Sequence, residues 1–201
     1  SLLFSLLVRP GWPADRLAWL TMISGLAVSE AVEDIARLDA HLKWPNDGVI
    51  KQSGVWRKYC GILLEGSIAS SGLVDHAVIG IGINVNVAHD QLPAAEFPAT
   101  SLLEAGKKPL SRLDLFATIL ARFEHHYEQA QTGLSPLGAW EKRLVFIGKR
   151  VLVSSPGQAS PLIGILVGVD EQGRLLVRGS AGDIEPDLAG DVTLREHLDS
   201  G

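Results

Sequence analysis

An α/β (α+β) fold is what the sequence predicts: a mixed sheet packed by helices over residues 1–147, then a small barrel or sandwich over residues 148–198. Three observations carry it. Apolar runs of strand length lie at Leu2–Val8, Arg57–Glu65 and His76–Asn86, and two long segments, one after the first run and one after the last, repeat apolar residues at helical spacing. From Gly148 onward the texture changes to short strand-like runs separated by turns.

The opening run Leu2–Val8 is almost wholly apolar, which predicts a strand buried on both faces. Pro10 to Pro13 then form a turn, with Pro13 suited to the first helical position. A helix follows from about Ala14 to Leu38. Leu17, Leu20, Ile23, Ala27, Ala31 and Ile35 recur on one side, while Arg16, Glu30, Glu33, Asp34 and Arg37 take the wet side. Ser24, Gly25 and Ala27 are small enough to let this helix lie close to the sheet.

Next comes Lys43-Trp44-Pro45-Asn46-Asp47-Gly48. Pro45 removes a ladder donor, the next three residues are turn formers, and Val49-Ile50 resumes a strand. The turn holds a cation, an amide and a carboxylate between two strands. On the residues alone it also reads as an ordinary hairpin with a solvated Lys and Asp.

The strand Arg57–Glu65 opens with two cations, Arg57 and Lys58. In His76–Asn86 the alternation is informative. Ile79, Ile81, Ile83 and Val85 fall on one face and read as core; Gly80, Gly82, Asn84 and Asn86 fall on the other. Two glycines on one face leave room for a flat ligand or for a closely packed helix. Val87 to Thr100 is a loop marked by Pro93 and Pro98. Thr100 or Ser101 caps a short helix over Leu102–Ala105, and Ser111 caps a long one to about Ala130. His125 and His126 are adjacent, lack a partner at metal-ligand spacing, and read as surface residues. Ser135-Pro136 starts a third helix containing Trp140. Five short strands then follow: Arg150–Ser154, Leu162–Val169, Arg174–Arg178, Asp183–Pro186 and Asp191–Arg195, with the boundary between the two units near Phe146–Lys149.

Composition excludes several classes. A chain of 201 residues that is 46% hydrophobic and 20% charged is globular rather than disordered. A net charge of −5 argues against a general nucleic-acid-binding surface. The one cysteine, Cys60, excludes an internal disulfide and fits a reducing, cytoplasmic setting. No apolar run approaches the ~20 residues of a membrane span.

Taken together, the Lys43–Asp47 turn, the strand with Lys58 shortly before Gly61-Ile62-Leu63, and the Gly80-x-Gly82-x-Asn84 strand resemble the biotin–protein ligases. The resemblance runs from the first residues to about Arg195. It implies a core like that of the class II synthetases, as in biotin and lipoate ligases, and a small C-terminal β-barrel. It also implies an ATP-dependent ligase that makes biotinyl-adenylate and transfers biotin to a lysine of a biotin carboxyl carrier domain. Lys58 lies where the family's catalytic lysine lies. The implied biotin contacts are Lys58, Gly61, Leu63, Gly80 and Ile83; the implied ATP contacts are Lys43, Asn46 and Asn84; Asp47 is the implied ligand of Mg²⁺.

Residues 58 and 61 face opposite sides of a regular strand, so shared ligand contact predicts a bulge near Cys60-Gly61 or contact through the glycine backbone. The family's biotin-closing loop and earlier biotin-lining strands are not in this sequence, so the chain is expected to be the C-terminal portion of a longer ligase, possible as a homodimer and without a DNA-binding part. Two alternatives stand beside this reading: a lipoate–protein ligase, and a non-catalytic binding or regulatory fragment.

Overall fold

The computed structural model describes residues 1–92, 94–95, 97–154 and 161–179, and the backbone of 184–187 and 193–196. The first sheet holds β1 (Leu2–Val8), β2 (Ala40–Lys43), β3 (Asp47–Gln52), β4 (Val55–Ile68) and β5 (Val74–Ile83) in the order β1-β5-β4-β3-β2. Its ladders are all antiparallel. The parallel component of a mixed sheet is confined to two isolated bridges, Leu42–Leu144 and Lys58–Ala99. Chain connectivity explains this. β2, β3, β4 and β5 are joined by short links, which permit antiparallel pairing only. The one long crossover, through α1 (Trp19–Ala36), carries the chain from one sheet edge to the other.

The predicted helix over 14–38 begins instead with a 3₁₀ turn at Ala14–Arg16, and α1 ends at Arg37, whose φ of 56° is left-handed. Gly25 permits the close approach expected of it: a Cβ there would lie 3.2 Å from Leu42 Cδ1 and from Trp140 Nε1. α3 (Arg112–Gln131) is capped by Ser111, whose hydroxyl accepts the Asp114 N–H at 3.2 Å. It covers α1 and reaches β1, where Phe116 meets Phe4 edge to face at 4.9 Å. The core lies between these helices and the inner face of the sheet, with Leu20, Ile23 and Ala27 against Ile79, Ile81 and Ile83.

Three expectations are corrected here. β1 is an edge strand, and Leu3, Ser5 and Leu7 point outward while Leu2, Phe4 and Leu6 face the core side. Apolar content alone could not distinguish an edge from a central position. The acidic residues of α1 are also not simply solvated. Arg143 clasps Glu33 through Nη1 at 2.6 Å and Nη2 at 3.0 Å, and Arg122 binds Asp34 at 2.6 Å. His126, expected at the surface, lies 3.0 Å from Glu30 because α3 packs on α1; His125 is exposed as expected.

After α2 (Leu102–Gly106) and α4 (Leu137–Glu141), the second sheet runs β10-β6-β7-β8-β9, with antiparallel ladders throughout. Its strands are β6 (Arg150–Ser154), β7 (Leu162–Val169), β8 (Leu175–Arg178), β9 (Ile184–Asp187) and β10 (Thr193–Glu196). The expected strand starts at Asp183 and Asp191 lie outside the described residues. Where a barrel is expected, the described residues form this sheet. It is tied to the first unit by the Trp44 indole N–H donating to the Gly173 carbonyl at 2.8 Å and by the Val169 N–H donating to Glu141 at 3.1 Å.

Burial alone would raise the Glu30 carboxyl; the hydrogen bond and charge of His126, with Arg143 and Arg122, outweigh it and hold the carboxyl below its ordinary 4.5. A carboxyl lowered by folding stabilises the fold above its unfolded value and loses that contribution as pH falls through the folded value. Glu30→Gln is therefore expected to lower the urea midpoint near neutral pH, with the gap to wild type closing below pH 4.5. Parallel denaturation series from pH 7 to pH 3 check this.

Candidate active site

The site begins with a register shift in β4. Gly48 pairs with Cys60 and Val49 with Lys58, so Tyr59 is an extra residue opposite the Gly48–Val49 step. Both Tyr59 and Cys60 point into the core, at 1% and 2% exposure. Two successive inward side chains reset the alternation, and Lys58 and Gly61 emerge on the same face. The expected bulge is present, one residue earlier than predicted. Gly48 makes room for it: a Cβ there would lie 2.8 Å from the Tyr59 ring and 2.9 Å from Cys60 Cβ.

At the bulge β4 also changes neighbours. From Cys60 onward it pairs with β5. Before it, the Lys58 N–H donates to Pro98 and the Lys58 carbonyl accepts from Thr100, both at 2.8 Å. The loop predicted over 87–100 thus fixes the backbone that carries Lys58, a role with no local signal in sequence.

Cross-strand register builds the floor. Gly61 stands between Asp47 and Gly82, and Gly82 beside Leu3; one row on, Leu63, Gly80 and Ser5 align. These rows line an open pocket of about 570 Å³ on the outer face of the sheet. Three glycines leave its backbone bare, and Leu3 and Leu63 wall it with exposed apolar groups. Gly80 has real space above it: an added Cβ would meet nothing closer than Leu63 at 3.8 Å. Asn46 closes one end, its amide N–H donating to the Ile62 carbonyl at 2.7 Å while its own carbonyl accepts the Ile62 N–H at 2.9 Å.

The Lys58 amine comes to the same place, 3.4 Å from where a Gly61 Cβ would sit. It is paired with Asp47, whose other oxygen is 3.7 Å from the Lys43 amine. Lys43 is nearly buried and also lies 5.0 Å above the Phe97 ring. Among the described residues, the Asp47 carboxylate stands between the Lys43 and Lys58 amines beside the pocket. Burial, followed by the Asp47 charge, pushes the Cys60 thiol up to about 12, so it is no nucleophile. Burial also pushes the Tyr59 phenol well above its usual range.

Of the predicted site residues, then, Lys58, Gly61, Leu63, Gly80 and Asn46 converge. Ile83 does not: it is 1% exposed on the helix side of β5, because strand parity sends it opposite Gly80 and Gly82. Leu3 supplies the apolar wall instead, and Ser5, the one polar interruption of the opening run, was the sequence signal for that outward face. Asn84 donates to the Thr100 carbonyl at 3.1 Å and does not line the pocket. Lys43 is a core cation against Asp47 rather than a pocket wall. Asp47, the implied magnesium ligand, has one oxygen facing the Lys43 amine and the other facing the Lys58 amine.

Known proteins share this fold. The family described as "Biotin protein ligase C terminal domain" matches residues 146–195. The chain is 33% identical over 186 residues to the biotin--[acetyl-CoA-carboxylase] ligase of Paracoccus denitrificans, covering 89% of this chain and 74% of that protein. The chain belongs to the biotin protein ligase family. It is also 33% identical over 181 residues to the bifunctional ligase/repressor BirA of Bacillus spizizenii; there it spans 89% of its own length but only 54% of the relative's. The solved biotin protein ligase from Aquifex aeolicus in complex with biotin and ATP superposes with a TM-score of 0.76 at 30% identity, over 98% of this chain and 78% of that one. No helix among the described residues is long and apolar enough to cross a membrane.

Gly48 and Gly80 therefore have opposite structural sensitivities. Gly48→Ala is expected to cost about 1–3 kcal/mol, because the new methyl collides with the bulge. Gly80→Ala is expected to cost under about 1 kcal/mol, since its methyl enters open space. Chemical denaturation of both variants measures the contrast.

Proposed function

We propose that this chain carries the biotin-activating site of a biotin–protein ligase, which condenses biotin with ATP and passes the biotinyl group to a lysine of a biotin carboxyl carrier domain. The observation that carries the reading is the bulge at Tyr59, which sets the Lys58 amine over a glycine floor. Residues 1–147 would form the catalytic unit and residues 148–198 the small C-terminal one. Cys60 as a free thiol suits a reducing cytoplasm.

In this reading the bicyclic ring of biotin lies on Gly80 and Gly82 between Leu3 and Leu63, where bare backbone leaves room for a compact bicycle and the apolar walls suit its thioether ring. Its carboxylate points along the Gly61 row to Lys58. In the first step a carboxylate oxygen attacks the α-phosphorus of ATP and pyrophosphate leaves. Negative charge grows on the phosphoryl oxygens, and a fixed ammonium beside the reacting oxygen lowers that barrier. Lys58 supplies it, exchanging Asp47 for the carboxylate and phosphate as they arrive. Lys43 holds Asp47 in place, so the carboxylate is a positioning group for Lys58. In the second step the amine of the carrier lysine attacks the acyl carbon, AMP leaves with the bonding pair, and the amine loses a proton as the amide forms. The magnesium that accompanies ATP would be held by phosphate oxygens rather than by a protein cage.

A lipoate-type ligase would follow the same chemistry on a longer, linear acyl chain. The short glycine floor suits a compact fused ring better, and a titration with both acids separates the two.

Lys58→Ala is expected to lower biotin-dependent ATP–pyrophosphate exchange by at least about 100-fold with the fold intact, measured in the protein as its natural gene encodes it; an unchanged rate removes Lys58 from the chemistry. Gly80→Val is expected to weaken biotin at least tenfold by calorimetry, its branched side chain filling the place of the ring. Unchanged affinity would mean that the ring lies elsewhere.

A further inference from the structure

A second hollow, of about 230 Å³, lies on the helix side of the sheet, where the first unit meets the second. Leu17, Met22, Pro45 and Leu64 give it an aliphatic wall, and Trp44 and Trp140 an aromatic one. Thr21 and Gln172 add a hydroxyl and an amide, and among the described residues no Lys, Arg, His, Asp or Glu lines it. That chemistry excludes phosphates, nucleotides and carboxylates, since nothing there balances a charge. An apolar cavity of about 150 Å³ is enough to hold benzene, so this one has room for a fused two-ring aromatic.

The position of the hollow matters as much as its lining. Trp44 spends its indole N–H on the Gly173 carbonyl of the β7–β8 turn, so an occupant meets the carbon framework of the ring. Trp44 and Pro45 run directly into Asn46 and Asp47, which stand at the pocket on the other face. Thr21, Pro45 and Trp140, which line the hollow, also pack next to Lys43, Asn46 and Asp47, around a gap too small to admit water. Whatever fills the hollow therefore packs against the back of the turn that orients Lys58.

We propose that this hollow is a binding site for a compact, neutral aromatic molecule, whose occupancy braces the 44–47 turn against the second sheet. The proposal does not depend on the ligase reading; it rests on the lining and place of the cavity.

Indole is the probe. Titrated into ¹⁵N-labelled protein, it is expected to shift the Trp44 and Trp140 Nε1–H resonances saturably at roughly millimolar concentration, and to move the Asn46 and Asp47 amides with the same midpoint. Indole-3-acetate, the same ring with a carboxylate, is expected to bind at least tenfold more weakly. Ala18→Phe fills the hollow from α1, and Gln172→Trp roofs it from an exposed turn; each is expected to weaken indole at least tenfold. No saturable shift in the wild-type protein overturns the site, as does unchanged indole affinity in either folded variant. Equal binding of the acetate overturns the assigned chemistry. Tryptophan shifts without movement at Asn46 and Asp47 overturn the bracing.

Discussion

One extra residue in one strand sets the geometry of this molecule's outer face. Without Tyr59 as a bulge, Lys58 would point into the helix layer and its charge would have to be buried or the strand rebuilt. With it, two bulky side chains go inward in succession, a lysine and a glycine come outward together, and β4 exchanges the 97–100 loop for β5 as its neighbour. The bulge in turn depends on Gly48, the one position across the ladder where any side chain would strike it. The glycine after Asp47 is therefore less a turn residue than a space left for the Tyr59 ring.

Charge follows from that geometry. Lys43 and Asp47 are both at least nine-tenths buried, and a buried ammonium is tolerated only beside a carboxylate. Asp47 satisfies it and has one oxygen left for Lys58, which is about two-fifths exposed. The pair with Lys43 is thus structural, while the pair with Lys58 is exposed to competition from any anion entering the pocket. Water screens the second pair more than the first, although its contact is the closer of the two. Cys60 and Tyr59, the other ionisable groups at the bulge, are held neutral by burial.

The sequence was most readable where its period was regular. The faces of β5 follow directly from the Ile79–Val85 alternation, and the caps at Ser101 and Ser111 from their residue types. The bulge was inferable from a conflict, since Lys58 and Gly61 could share a ligand only if the period broke. What stayed hidden was set by distant partners. The edge position of β1 depends on sheet order, which makes Leu3 a pocket wall and leaves Ile83 in the core. The pairing of Glu30 with His126 depends on where α3 lands on α1, residues 96 apart in sequence. Asn84 carried the right residue type on the right face, yet its amide nitrogen donates to Thr100 and its amide oxygen accepts from the Ser1 hydroxyl.

The turn after β2 explains why so short a segment is so chemically mixed. Its residues serve two faces of the sheet at once. Lys43, Asn46 and Asp47 gather toward Lys58 and the glycine floor, whereas Trp44 turns away to the Gly173 carbonyl and Pro45 packs beside it. A hairpin made only for chain reversal would need neither a buried indole nor a buried ammonium. Because Trp44 and Asn46 are two residues apart on a stiff turn, the indole cannot shift without dragging the amide clamp on Ile62. Gly173 closes the circuit from the far side: its φ of 79° and a Cβ position only 3.1 Å from Ala18 hold the β7–β8 turn tightly against α1. The second sheet is therefore joined to the lysine that the first one presents, through a path of one hydrogen bond, the four linked residues Trp44 to Asp47, and the Asp47–Lys58 ion pair.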